Sequence, residues 1–166
     1  YHAFSKLLTG EDNWAKVNDK LDVLFPEHPD YFPLINGKRI PLDGPEPNGP
    51  SRNQPCTSNP DVIRIMRSNL ETAVRERISP DGMYILYNND GTGWCQCENC
   101  VKQDSAFDKE NNGVTHRYWT LMRTLTDGLF DQYPGVAFVA NAYQNFQDVP
   151  DDKTLVPKQM IVEMGF

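Results

Sequence analysis

No apolar run in this sequence approaches the roughly 18 residues that a membrane-crossing helix needs, so no membrane span is expected. Basic residues are in the minority. The 16 Lys and Arg stand against 23 Asp and Glu, a formal net charge of −7. Such a surface repels phosphate backbones and argues against nucleic acid as the main partner. Hydrophobic residues are scarce at 39%, below the usual share for a globular domain, which implies long polar loops. Histidine is rare. His2, His28 and His116 include no pair at metal-ligand spacing, so a histidine-built metal centre is not expected. There is no internal repeat, low-complexity tract, signal peptide or initiator Met. Both ends, Tyr1-His2-Ala3-Phe4 and Met160 to Phe166, read as strand without a polar tail. The expectation is an excerpt of a longer polypeptide, with a compartment that the N-terminus does not reveal.

What is present is enough for one domain over 1–166, with a sizeable core. Residues 1–8 alternate loosely and read as a strand. Trp14, Val17, Leu21 and Leu24 recur at helical spacing over 12–24, with Pro26 as the stop. Asn36-Gly37 marks a hairpin turn, and 41–55 is a Pro-, Gly- and Asn-rich loop. Asn59 and Pro60 suit the cap and first position of a helix carrying Ile63, Met66, Leu70, Ala73 and Val74. Met83 to Tyr87 is a strand running into Asn88-Asn89-Asp90-Gly91. Thr115 can cap a further helix, with Tyr118, Leu121, Met122, Leu125 and Leu129 on one face, ending before Pro134-Gly135. Strands near 1–8, 83–90, 136–143 and 159–164, separated by helices, predict an α/β fold with a parallel sheet.

The sharpest chemical signal is cysteine. Cys95, Cys97 and Cys100 form a C-x-C-x-x-C run, and Cys56 is the only other one. Closely spaced thiolates let one loop supply three ligands of a tetrahedral zinc site, with Cys56 as the fourth. Two disulfides among the same four residues are the competing reading, and free thiols the third. In either form the role is structural, because four sulfurs leave a zinc no open position for water.

Asp90 stands where a parallel α/β fold puts its chemistry, at the C-terminal end of a strand, and there it can act as a general acid or base. Asp90-Gly91 is also an ordinary turn pair. Glu163, within the last strand, is the candidate second carboxylate. Sugars stack their apolar faces on aromatics and bond their hydroxyls to polar groups. His28 and Arg39, near Tyr31 and Phe32, and Asn89, Trp94 and Tyr143 at strand ends are therefore candidate carbohydrate contacts. Core packing is the competing reading for each aromatic.

His28-Pro29-Asp30-Tyr31-Phe32, Asn36-Gly37-Lys38-Arg39, Cys56 with Ser58-Asn59-Pro60, Asn89-Asp90-Gly91 and Cys95-Gln96-Cys97-Glu98-Asn99-Cys100 occur in this order along nearly the whole chain. In this the sequence resembles domain of unknown function 4838, found in bacterial proteins linked to polysaccharide use. The resemblance implies part of a (β/α)8 barrel of the TIM type, similar to glycoside hydrolases that include α-glucuronidases. It also implies a carbohydrate partner and an extracellular or periplasmic setting. The strands would be about the third to the sixth of the barrel, so that Asp90 ends the fourth, where many barrel glycosidases carry their acid/base. The expected activity is glycoside hydrolysis by Asp90 and Glu163. The alternative is a non-catalytic carbohydrate-binding or structural barrel whose cysteine lobe is an interaction surface.

Overall fold

The computed structural model describes residues 3–42, 45–46, 49–50, 53–79 and 82–165. Its centre is a parallel sheet of three strands in the order β5 (Met83–Ile85), β6 (Ala137–Ala142), β7 (Ile161–Met164). Tyr84 pairs with Phe138, Val139 with Ile161 and Asn141 with Glu163. All three strands therefore point their carboxyl ends the same way. The described residues form an open mixed α/β structure and no closed barrel. None of the described helices is long and apolar enough to cross a membrane.

Two helices of the core form where the apolar spacing places them. In α3 (Pro60–Arg77) the Asn59 side chain accepts from the Asp61 and Val62 amides, and Pro60 loses no intrahelical bond at the first position. Its buried stripe of Val62, Met66, Leu70, Ala73 and Val74 faces the core. Short helices α4 (Glu98–Val101) and α5 (Ala106–Asn111) lead to α6 (Thr115–Thr126), where Tyr118, Leu121, Met122 and Leu125 are buried in the same cluster as Phe138 of β6. Thr115 is not the cap. The Asp108 carboxylate takes that part, accepting from the Thr115 and His116 amides at 2.8 and 3.0 Å. The helix ends at Thr126, earlier than the apolar pattern suggests. Gly128 turns the chain at φ 74°, and a short α7 (Leu129–Gln132) carries Leu129.

The segment read as a first strand is instead a helix, α1 (Ala3–Thr9), packed on α3. Phe4, Leu7 and Leu8 fit either period over so short a stretch. The decision comes from outside the segment: the Ala3 amide donates to the Tyr87 carbonyl, and the Ser5 amide to the Asn89 side chain. Those are orphan donors of a helix start, satisfied by the segment that follows β5. His2 lies outside the described residues, as do Pro80 and Asp81. Helix α2 (Trp14–Glu27) runs one residue past Pro26, with Asn13 as its cap. Asn36 and Gly37, both at positive φ, close the hairpin of β1 (Leu34–Ile35) and β2 (Lys38–Arg39), as the Asn-Gly pair predicts. In the expected 41–55 loop, β3 (Pro45–Glu46) pairs with β4 (Gly49–Pro50).

Candidate functional site

The chain leaving β5 builds two sites in succession. The first lies at the carboxyl ends of the strands. Tyr87, Asn88 and Asp90 after β5, Asn141 and Tyr143 at the end of β6, and Glu163 and Gly165 of and after β7 line a cavity of about 210 Å³. Asn141 joins two of the elements. Its amide donates to the Asn88 oxygen at 3.0 Å, and its own oxygen accepts from the Tyr118 hydroxyl at 3.1 Å. Tyr118 is fully buried, so that bond meets the requirement of a hydroxyl that has no water. Tyr87 donates its hydroxyl to Glu163. Burial, and then the Glu163 carboxylate, push the Tyr87 phenol up to about 12, so it remains a protonated donor at neutral pH. The Tyr143 ring lies so close to Gly165 that a Cβ there would come within 2.6 Å of it. Gly91, at φ 144°, takes a backbone conformation that other residues avoid.

The second site is the cysteine cluster. Cys56, Cys95 and Cys100 are buried, and Cys97 is half-buried. The four sulfurs all lie within 4.8 Å of one another. Cys56 Sγ is 3.6 Å from Cys95 Sγ and 3.8 Å from those of Cys97 and Cys100. Zinc–sulfur bonds of about 2.3 Å in a tetrahedron give sulfur–sulfur edges of about 3.8 Å. A disulfide needs about 2.05 Å. The spacing therefore fits four ligands of one ion, and no disulfide is formed.

The surroundings are those of sulfur that carries charge. The Leu34 amide donates to Cys95 Sγ at 3.3 Å, and Arg39 Nη1 stands 3.8 Å from the same atom. The Ser58 hydroxyl lies 3.1 Å from Cys100 Sγ. Hydrogen bonds from Cys56 and Cys95 pull the Cys100 thiol down, while its bond with Cys100 pushes the Cys95 thiol up. The lobe is fastened to the body by a buried ion pair. Arg117 Nε lies 2.9 Å from Asp104, and Arg117 Nη1 donates to the Cys95 carbonyl at 2.6 Å.

A family model described as domain of unknown function (DUF4838) matches residues 8–164. The chain belongs to this family. No curated protein and no solved structure matches it.

In this DUF4838 domain the residues singled out by sequence separate into three places. Asp90, Glu163 and Tyr143 meet in the strand-end cavity. Cys56, Cys95, Cys97 and Cys100 meet in the cluster. The remaining candidate sugar contacts lie elsewhere. Asn89 is fully buried behind the cavity, and its side chain is spent on Ser5 and on the Asn53 carbonyl. Trp94 is in the core, edge-on to Tyr118 and Phe146 with the Arg117 guanidinium over its ring, so no sugar ring reaches its face. Arg39 belongs to the cysteine cluster and also donates to the Phe32 carbonyl. His28 is exposed and stacks on Tyr31 at 4.6 Å, beside the segment that carries Cys56 rather than in the cavity. Asn88, which the sequence does not distinguish from Asn89, is the member of the pair that faces the cavity. Only the contacts that hold Asn89 separate the two.

Proposed function

We propose that this domain is part of a (β/α)8 barrel that acts on carbohydrate, with the strand-end cavity as its sugar site. The observation that carries this reading is the cavity lining. Two carboxylates, two tyrosines and two asparagines converge at the carboxyl ends of parallel strands, where α/β folds of this kind hold their chemistry. Amides and carboxylates suit sugar hydroxyls, and the Tyr143 ring offers an apolar face. Glycoside hydrolysis requires two carboxyl groups flanking the scissile bond. Asp90 is the general acid, and Glu163, held by the Tyr87 hydroxyl, is its partner. Their separation across a bound sugar determines retention or inversion. An extracellular or periplasmic setting accompanies this reading.

The test is a glycan-binding and hydrolysis screen on the full-length protein, followed by Asp90→Asn. That variant keeps the fold and the sugar binding and lowers turnover by about 10² or more. Unchanged turnover removes Asp90 from the mechanism. A non-catalytic carbohydrate-binding barrel is favoured by one observation, the Tyr87 bond that already occupies an oxygen of Glu163. Binding without hydrolysis, unaffected by Asp90→Asn, selects that reading.

The ion that suits the cysteine cluster is zinc, in a structural role. Four thiolates satisfy its preference for soft tetrahedral donors and leave no position for a reacting water. One zinc per chain, released when the thiols are alkylated, supports this. Two disulfides without metal, found by mass spectrometry, overturn it.

A further inference from the structure

Gln54 lies two residues before Cys56 and bonds to the loop that carries Asp90. It is fully buried, and its side-chain amide donates to the carbonyls of Asn89 and Gly91 at 2.6 and 3.1 Å. Its side-chain oxygen accepts from the Asn89 amide at 2.9 Å, and its own amide donates to the Gly93 carbonyl at 2.9 Å. Asp90 is therefore bracketed by two peptide groups that one glutamine side chain holds. Asn53, next to Gln54, forms a parallel bridge with Gly93, so the chain towards Cys56 and the chain towards Cys95 leave that bridge in the same direction. Two residues beyond Gln54 is Cys56, and two residues beyond Gly93 is Cys95. Their sulfurs are 3.6 Å apart in the cluster. The two aligned segments thus end on the same four-sulfur centre.

We propose that the cysteine cluster, filled by a metal ion, sets the position of Asp90 through Gln54. The ion joins Cys56 and Cys95, the ends of the two stretches that leave the Asn53–Gly93 bridge, and holds that bridge in register, and the Gln54 side chain passes the register to the Asn89 and Gly91 backbone on either side of Asp90. Gln54 is a positioning residue, and the cluster is the anchor of the strand-end cavity as well as of its own lobe. A buried amide with three partners on one loop tolerates no slip, because every displaced bond leaves an unsatisfied polar group away from water. This inference rests on the metal reading of the cluster.

The experiment is zinc titration of the chelator-stripped full chain, read by metal stoichiometry and by amide hydrogen exchange. One zinc per chain should slow exchange at 88–95 by about tenfold or more beyond the slowing that global stabilisation gives α6, because local opening of the tethered loop becomes rarer. Equal slowing throughout the chain, or none at 88–95, overturns the coupling while leaving the metal site standing. Failure to bind one zinc overturns the metal reading itself, and the stoichiometry reports this separately. Gln54→Met keeps zinc binding within about tenfold and loses the zinc-dependent protection at 89–91. Retained protection removes Gln54 from the coupling. If that variant does not fold, the wild-type titration still decides whether metal and loop are linked.

Discussion

The cysteine lobe and the strand-end cavity start from the same loop after β5 and are built by opposite rules. In the lobe, four donors of one kind converge until the space between them suits a single ion. Backbone and hydroxyl groups surround the sulfurs, and Arg39 balances their charge. In the cavity, donors of several kinds from three strand ends stay apart and leave about 210 Å³ open. Converging like donors select an ion by softness and geometry. Dispersed unlike donors recognise a ligand of many atoms by its pattern of hydroxyls and ring faces. On the reading proposed above, the first arrangement supports the fold and the second binds a ligand, so substitutions in the two regions should differ in kind as well as in size.

The largest effect is expected at Cys100, the cluster residue with no exposed surface. Cys100→Ser should abolish stoichiometric zinc binding. It should also lower stability in the presence of zinc by several kcal/mol, about 3 or more, because metal binding energy is folding energy at such a site. Calorimetry with and without zinc checks this. An equal melting temperature for variant and wild type in zinc would break the comparison.

Next is the pair that fastens the lobe. Arg117→Met leaves Asp104 buried without its cation, and the expected cost is about 3–5 kcal/mol by denaturant unfolding. The same site carries a pH dependence. Burial pushes the Asp104 carboxyl up from 3.8 to about 6, with Arg117 opposing the shift. The folded state therefore holds this proton more tightly than the unfolded chain does. The associated stability is present below the unfolded value and is lost as pH rises through about 6. Asp104→Asn should flatten that part of the stability–pH curve.

The smallest of these effects belongs to the cavity. Asn141→Leu removes the acceptor of the buried Tyr118 hydroxyl, and a loss of about 1–3 kcal/mol is expected. Adding Tyr118→Phe should recover part of it, since the stranded hydroxyl is gone. Sugar binding should fall in both variants while zinc binding stays unchanged. A matching loss of zinc would show that the two regions are less separate than their construction suggests.

Where a local signal has one physical outcome, this chain followed it. Asn59-Pro60 starts α3, and Asn36-Gly37 turns the hairpin. The C-x-C-x-x-C spacing puts three sulfurs within reach of one ion. Each depends on a few neighbouring residues whose backbone or ligand geometry is decided within one turn of chain. Asp90, Glu163 and Tyr143 were legible for a related reason: parallel strands deliver their carboxyl ends to one edge, so a strand assignment is also a placement. Four things required the packed structure. The 3–9 segment became a helix because the segment that follows β5 supplies partners for its first amides. Trp94 went to the core because Tyr118, Phe146 and Arg117 enclose it. Arg39 became a partner of sulfur because the hairpin folds onto the cysteine loop. Asn88 rather than Asn89 faces the cavity because Ser5, Asn53 and Gln54 hold Asn89. In all four the energy comes from residues distant in sequence, 84 positions away for Ser5 and Asn89. The amino-acid order by itself therefore determined which groups can do chemistry, and only the tertiary contacts decided which of them face solvent, sulfur or each other.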